Sequence, residues 1–121
     1  VKTKDLVIQA NRERFMQVLI IILDNAIKYS KKKTVITISS RVTGNNLQLL
    51  VNDQGIGINK QDLPHIFKRF YRADKSRSLV EGYGLGLSIA KRIIDAHSGL
   101  IWVEKNNKQG TTFVIQIPYI N

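Results

Sequence analysis

Phe15, Val18, Leu19, Ile22, Leu23, Ala26 and Ile27 recur at the helical period and form one broad apolar stripe. A helix carrying such a stripe has to bury it against a second layer, and the nature of that layer decides the fold. Asn11 suits an N-cap, and the spacing predicts a helix running to about residue 30, with a short strand over residues 5–9 ahead of it. Residues 34–40 alternate, with Ile36 and Ile38 on one face, and Gly44-Asn45-Asn46 is a turn signal that pairs this strand with residues 47–52 as a hairpin. Asn59 with Asp62 suggests a capped short helix through Ile66. Residues 67–81 are aromatic and then basic, without a clean period. A second helix is expected over residues 85–97, stopping at Ser98-Gly99. Two closing strands, residues 100–105 and 111–118, flank an Asn-Lys-Gln-Gly turn. Helices and strands segregate along the chain. The expectation is an α/β (α+β) two-layer sandwich, with helices on one face of a mixed, largely antiparallel sheet.

The totals narrow the classes of function. The 121 residues make one domain, expected over 1–121, with 43% hydrophobic residues as in a soluble globular protein. With no cysteine, disulfides and thiolate metal sites are excluded. The longest apolar run, residues 18–23, is too short to cross a bilayer, and no signal-peptide pattern is present. The chain does not open on Met, as expected of a piece of a longer protein. Nineteen Lys and Arg against nine Asp and Glu give a formal charge of +10, which attracts polyanions such as nucleic acid, anionic lipid or nucleoside triphosphates. Lys31-Lys32-Lys33 follows the first helix, where cations complement the helix dipole, and reads as solvated surface.

Three segments carry chemistry. On the first helix Asn25 and Lys28 lie close together beside the apolar stripe, followed by Tyr29. Mg²⁺ prefers oxygen ligands and keeps several waters, so an amide oxygen suits a metal already carried by phosphates, and Lys28 can neutralise phosphate charge. Taken alone, the pair better suits an ordinary amphipathic boundary. Asp53 follows an apolar strand and precedes Gly55-x-Gly57. A carboxylate only accepts hydrogen bonds, and the exocyclic amine of adenine needs an acceptor, whereas a phosphate would repel it. A simple Asp-x-Gly turn is the alternative. Gly82, Gly84 and Gly86 lie ahead of the second helix, where their amides can cradle phosphate oxygens, unless they form only a flexible lead-in. The spacing is neither the dinucleotide fingerprint nor a Gly-Lys-Ser/Thr phosphate loop.

In this order the segments resemble the ATP-binding catalytic domain of bacterial sensor histidine kinases, whose fold is shared with gyrase, Hsp90 and MutL. The stretch from Gln17 through Asn25-Ala26-Ile27-Lys28-Tyr29 resembles the family's N box, and Asp53-x-Gly55-x-Gly57 its G1 box. The run from Ile66 through Phe67-Lys68-Arg69-Phe70-Tyr71-Arg72 resembles the F box, Gly82-x-Gly84-Leu85-Gly86-Leu87 the G2 box, and Gly110-Thr111-Thr112-Phe113 the closing G-T-x-F motif.

The resemblance implies Mg²⁺ on Asn25, nucleotide lined by Lys28 and Tyr29, and the adenine amine on Asp53 with Gly55, Gly57 and Ile58 beside the base. Tyr71 and Arg72 approach the nucleotide, Arg72 near phosphate. An ATP lid spans residues 73–83, and Gly82, Gly84, Leu85, Gly86, Leu87 and Thr112 complete the ligand set. It implies a protein-histidine kinase that passes the γ-phosphoryl group of ATP to a histidine on a separate dimerisation domain, for relay to a response-regulator aspartate. The parent is then a homodimeric, membrane-anchored receptor with this domain on the cytoplasmic side. The domain itself is expected to be monomeric, to bind no nucleic acid and not to phosphorylate itself alone.

Three features depart from the pattern. Ile21 stands where the family usually has a second Asn, and where hydrolytic relatives have a water-activating Glu. Strong ATP hydrolysis is therefore not expected, and the alternative is a nucleotide-binding sensor or scaffold with reduced or lost kinase activity. Glu81 and Tyr83 replace small residues. No phosphoacceptor-type helix is present; His65 and His97 read as structural or solvated. Trp102, alternating with Leu100, is expected in the core.

Overall fold

A computed structural model describes residues 7–29, 34–55, 57–68, 86–107 and 110–120. The chain runs through β1 (Val7–Ile8), α1 (Arg12–Tyr29), β2 (Thr37–Thr43), β3 (Asn46–Asn52), a 3₁₀ turn (Leu63–His65), α2 (Gly86–Ala96), β4 (Leu100–Asn107) and β5 (Gly110–Ile120). The strands form one sheet with β2 at one edge, then β3, then β5. The far edge of β5 is shared, with β4 against residues 110–116 and β1 against residues 119–120. All of these pairings are antiparallel, so the described sheet lies at the antiparallel end of the expected range. Both helices pack on one face, which is the predicted two-layer sandwich.

Local chemistry sets the element ends. The Arg14 N–H donates to Asn11 Oδ1 at 3.0 Å, so Asn11 caps α1 as read from sequence. The N–H of Asn11 itself donates to His97 Nε2 at 2.9 Å. His97 therefore carries its proton on Nδ1, which donates to Ile93 O at 2.7 Å, and the imidazole bridges the start of α1 to the last turn of α2. That is the structural role expected for His97.

The α2 terminus is a Schellman motif, in which Gly99 N–H donates to Ile94 O and Ser98 N–H to Asp95 O. The left-handed position is held by Ser98, at φ 60°. Gly99 is needed for a different reason: a Cβ there would lie 2.3 Å from Gln116 O of β5. The β2–β3 hairpin turns at Gly44-Asn45, with Gly44 at φ 59°. Where a capped helix was expected after Asn59 there is only a 3₁₀ turn containing Pro64, held by Asp62 and Leu63 N–H groups donating to Asn59 O.

Val18, Ile22 and Ala26 of α1 and Ala90 and Ile94 of α2 pack with Val51, Phe113, Ile115 and Ile117 of the sheet as the core. Ile27, predicted to face the core, is 63% exposed, and Ile21 packs against the core instead. The stripe is thus rotated slightly toward Ile21. Trp102 also departs from expectation. The core receives Ile101 and Val103, and period-2 alternation sends Leu100 and Trp102 to the helix-free face. There Trp102 and Leu50 flank Val114, which is fully buried yet outside the core cluster. On that face Arg41 of β2 pairs with Glu104 of β4 and donates to Gln48, whose amide donates to Gln116 Oε1 at 2.6 Å. This polar chain seals the second side of the sheet.

Candidate functional site

Asp53 follows β3 directly and is 4% exposed. Its N–H donates to Thr111 O at 2.9 Å, extending the β3–β5 ladder by one step. Carboxylate Oδ1 accepts from Gly55 N–H at 2.8 Å and from Thr111 N–H at 3.3 Å. Among the described residues Oδ2 accepts nothing. A buried carboxylate with one oxygen tied down and the other uncommitted presents a fixed acceptor to a donor, because leaving that acceptor unmatched is costly. The turn beyond it needs Gly57, at φ 82°. Gly110 allows the backbones to close, since a Cβ there would lie 2.0 Å from Asp53 O.

The next residue, Ile58, is held through its backbone. Its N–H donates to Asn106 Oδ1 at 2.7 Å and its carbonyl accepts from Asn106 Nδ2 at 2.6 Å. Asn106 Oδ1 also accepts from the Thr111 hydroxyl at 3.1 Å. Asn106 was not singled out from sequence, and Thr111 only as a member of the closing motif, with no role of its own. The partners are 48 residues apart, and no local pattern marks such a pair.

Thr112 falls differently from its expected role. Alternation along β5 puts Thr111 on the same face as Phe113, and turns Thr112 to the opposite face, where its hydroxyl donates to Asn52 Oδ1 at 2.7 Å. Thr111, not Thr112, stands beside Asp53.

On α1, Asn25 is half-buried and its amide makes no hydrogen bond among the described residues. Lys28 Nζ lies 3.1 Å from Asp24 Oδ2, one helical turn back, in a partly exposed pair of the kind worth under about 1 kcal/mol. Such a pair yields readily to a stronger anion. Ile21, one turn before Asn25, has its Cγ2 3.4 Å from the Cβ position of Gly86, so α1 meets the first residue of α2 at that turn. Gly86 is exposed there and Leu87 is half-buried against the core. The dipole of a helix start makes that junction favourable to anions.

Phe67 meets Phe113 edge to face, with ring centroids 6.3 Å apart at 87°, which joins the F-type motif to the closing motif through the core. Tyr71, Arg72, Gly82, Gly84, Leu85, the side chain of Tyr29 and the expected lid at 73–83 lie outside the described residues.

Residues 10–121 match the family described as histidine kinase-, DNA gyrase B-, and HSP90-like ATPase. The chain belongs to this family. It is 42% identical over 120 residues to the signal transduction histidine-protein kinase ArlS of Staphylococcus epidermidis, covering 98% of this chain and 26% of ArlS. Its fold is similar to that of the mycobacterial sensor histidine kinase MprB, with a TM-score of 0.82 at 28% identity, covering 93% of this chain and 76% of that one. The catalytic domain of histidine kinase ThkA, in a nucleotide-free form, gives a TM-score of 0.78 at 34% identity over 92% and 70% of the two chains. By these matches this ATPase-family domain is an ATP-binding catalytic domain of the histidine-kinase type, spanning about a quarter of the length of the curated relatives it matches. No described helix is long and apolar enough to cross a membrane.

Proposed function

We propose that this domain binds Mg²⁺-ATP and presents the γ-phosphoryl group to a histidine on a separate dimerisation domain of the same protein, for relay to a response-regulator aspartate. The observation that carries the reading is Asp53, buried, held through Oδ1, with Oδ2 uncommitted among the described residues. Oδ2 accepts the adenine amine, and Gly57 and Ile58 lie along the base. Lys28 exchanges Asp24 for phosphate, and Gly86 with the start of α2 supports the phosphate end. Tyr29, Tyr71, Arg72, Gly82, Gly84 and Leu85 complete the nucleotide contacts proposed from their motifs.

The residues present fit Mg²⁺ as a metal carried mainly by phosphate. Asn25 offers one uncommitted amide oxygen, and no group of three or more acidic, His or Cys side chains among the described residues forms a dedicated cage. When bound, the ion neutralises phosphate charge and orients the transferred group. The chain's own residues contribute position and charge rather than a base. Ile21 offers no second polar ligand and packs against Gly86, which favours a second reading: a nucleotide-binding module with reduced or lost kinase activity. In either reading the parent is a membrane-anchored homodimeric sensor with this domain on the cytoplasmic side.

Calorimetric titration of Mg²⁺-ATP into wild type and Asp53→Asn tests the site. The amide puts a donor where an acceptor is needed, so affinity should fall by about 2 kcal/mol, roughly thirtyfold. Equal affinity in the two proteins removes Asp53 from the base, and no binding by wild type removes the nucleotide site.

A further inference from the structure

Asn106 is placed to do more than close a hairpin. Its amide pairs with both backbone polar groups of Ile58, with Oδ1 accepting from the N–H and Nδ2 donating to the carbonyl. A primary amide is in effect a short peptide unit. It joins the segment after Gly57 to the edge of the sheet, where no main-chain ladder among the described residues does so. The orientation of the amide is fixed by its partners, because a flipped group would set N–H₂ against the Ile58 N–H and Oδ1 against the Ile58 carbonyl. Among side chains of this reach only Asn offers a donor and an acceptor on separate atoms; ionised Asp lacks the donor, and Thr and Ser carry both on one oxygen.

The second arm of the hub runs to Asp53. Asn106 Oδ1 holds the Thr111 hydroxyl, while the Thr111 main chain accepts from Asp53 N–H and donates to Asp53 Oδ1. One side chain thus fixes the segment on one side of the Gly57 turn and the carboxylate on the other. We propose that Asn106 is the positioning residue of the base end of the site, setting through Thr111 and Ile58 the aim of Asp53 at the exocyclic amine of adenine. This rests on the adenine reading proposed above. Asn106 acts through other groups and does not itself touch the nucleotide.

The test is selectivity between ATP and inosine triphosphate, which carries a carbonyl oxygen where adenine has its amine. Affinities of both, with Mg²⁺, are measured by calorimetry for wild type, Asn106→Ala, Asn106→Asp, Thr111→Val and Thr111→Ser, at a temperature where circular dichroism shows each folded. Wild type is expected to prefer ATP. Asn106→Ala and Asn106→Asp should lose about tenfold in ATP affinity, with the ATP preference shrinking alongside. Thr111→Val, nearly isosteric, should lose part of that preference, and Thr111→Ser, which keeps the hydroxyl, should retain it.

A lower melting temperature with ATP affinity and preference unchanged in Asn106→Ala and Thr111→Val makes Asn106 a mere brace and overturns the proposal. If Asn106→Ala does not fold, Thr111→Val against Thr111→Ser decides. Wild type that binds ATP and inosine triphosphate equally overturns the adenine reading itself. An ATP-selective wild type with indifferent variants overturns only the role of Asn106.

Discussion

Two glycines, one packed on β5 and one opening it, show how single residues divide between fold and site. Gly99 lies against Gln116 O and Gly110 against Asp53 O, and neither place has room for a Cβ. An alanine at either position has to push strand backbone aside, at a cost of roughly 3 kcal/mol. Denaturant melts should show a similar loss for Gly99→Ala and Gly110→Ala. Nucleotide titrations of the folded fraction should separate them, because only Gly110→Ala displaces Asp53. Equal affinity in both variants would detach the Gly110 contact from the site. Asp53 was legible because it sits in a short motif with a chemical reason for its residue types. Asn106 and Thr111 were not, since their meaning comes from a contact that exists only after β4 and β5 have paired. Thr112 was misassigned for a related reason: a motif names neighbours in sequence, while the pleat sends neighbours to opposite faces.

At the scale of elements, the junction of α1 and α2 carries the departure that matters most. Ile21 packs against the core and touches the position of Gly86, so this apolar residue contributes to holding the two helices together. Ile21→Asn should therefore cost about 1–3 kcal/mol in a thermal or urea melt, since it puts an amide in a half-buried apolar place. The same change restores a second polar group one turn from Asn25 and should steepen the Mg²⁺ dependence of ATP binding. An unchanged Mg²⁺ requirement would make Ile21 purely a packing residue. Helix α1, the β2–β3 hairpin and the closing hairpin could be read from sequence because caps, turns and periodicity act locally: Asn11 and Gly44-Asn45 do in the structure what their residue types suggest. The helix expected after Asn59 shortened to a 3₁₀ turn, a stretch that holds Pro64 and has no long apolar stripe to bury. The outward turn of Trp102 followed from the register of β4 on β5, which no single strand specifies.

For the whole molecule, the surplus of ten positive charges suits a polyanionic ligand, and the chain spans about a quarter of the length of the curated relatives it matches. Mixed with a dimerisation domain that carries a phosphoacceptor histidine, this domain and radiolabelled ATP should yield an acid-labile phosphohistidine on that partner, and none on the domain alone. Tight ATP binding without transfer would leave the sensor or scaffold reading standing. The sheet that supports the site has one further property. Phe113, Val114 and Ile115 are buried in succession, so over these residues apolar packing does little to tell one strand register from another shifted by two. Gly110 adds to the distinction that the Gln48–Gln116 and Thr112–Asn52 pairs make. A slip of two in one direction would bring Thr112 to the place against Asp53 O, and in the other Lys108, and neither can lose its Cβ. A residue with no side chain to offer a ligand thus helps to keep the strands in step, and the Asp53 backbone is seated by the same close approach.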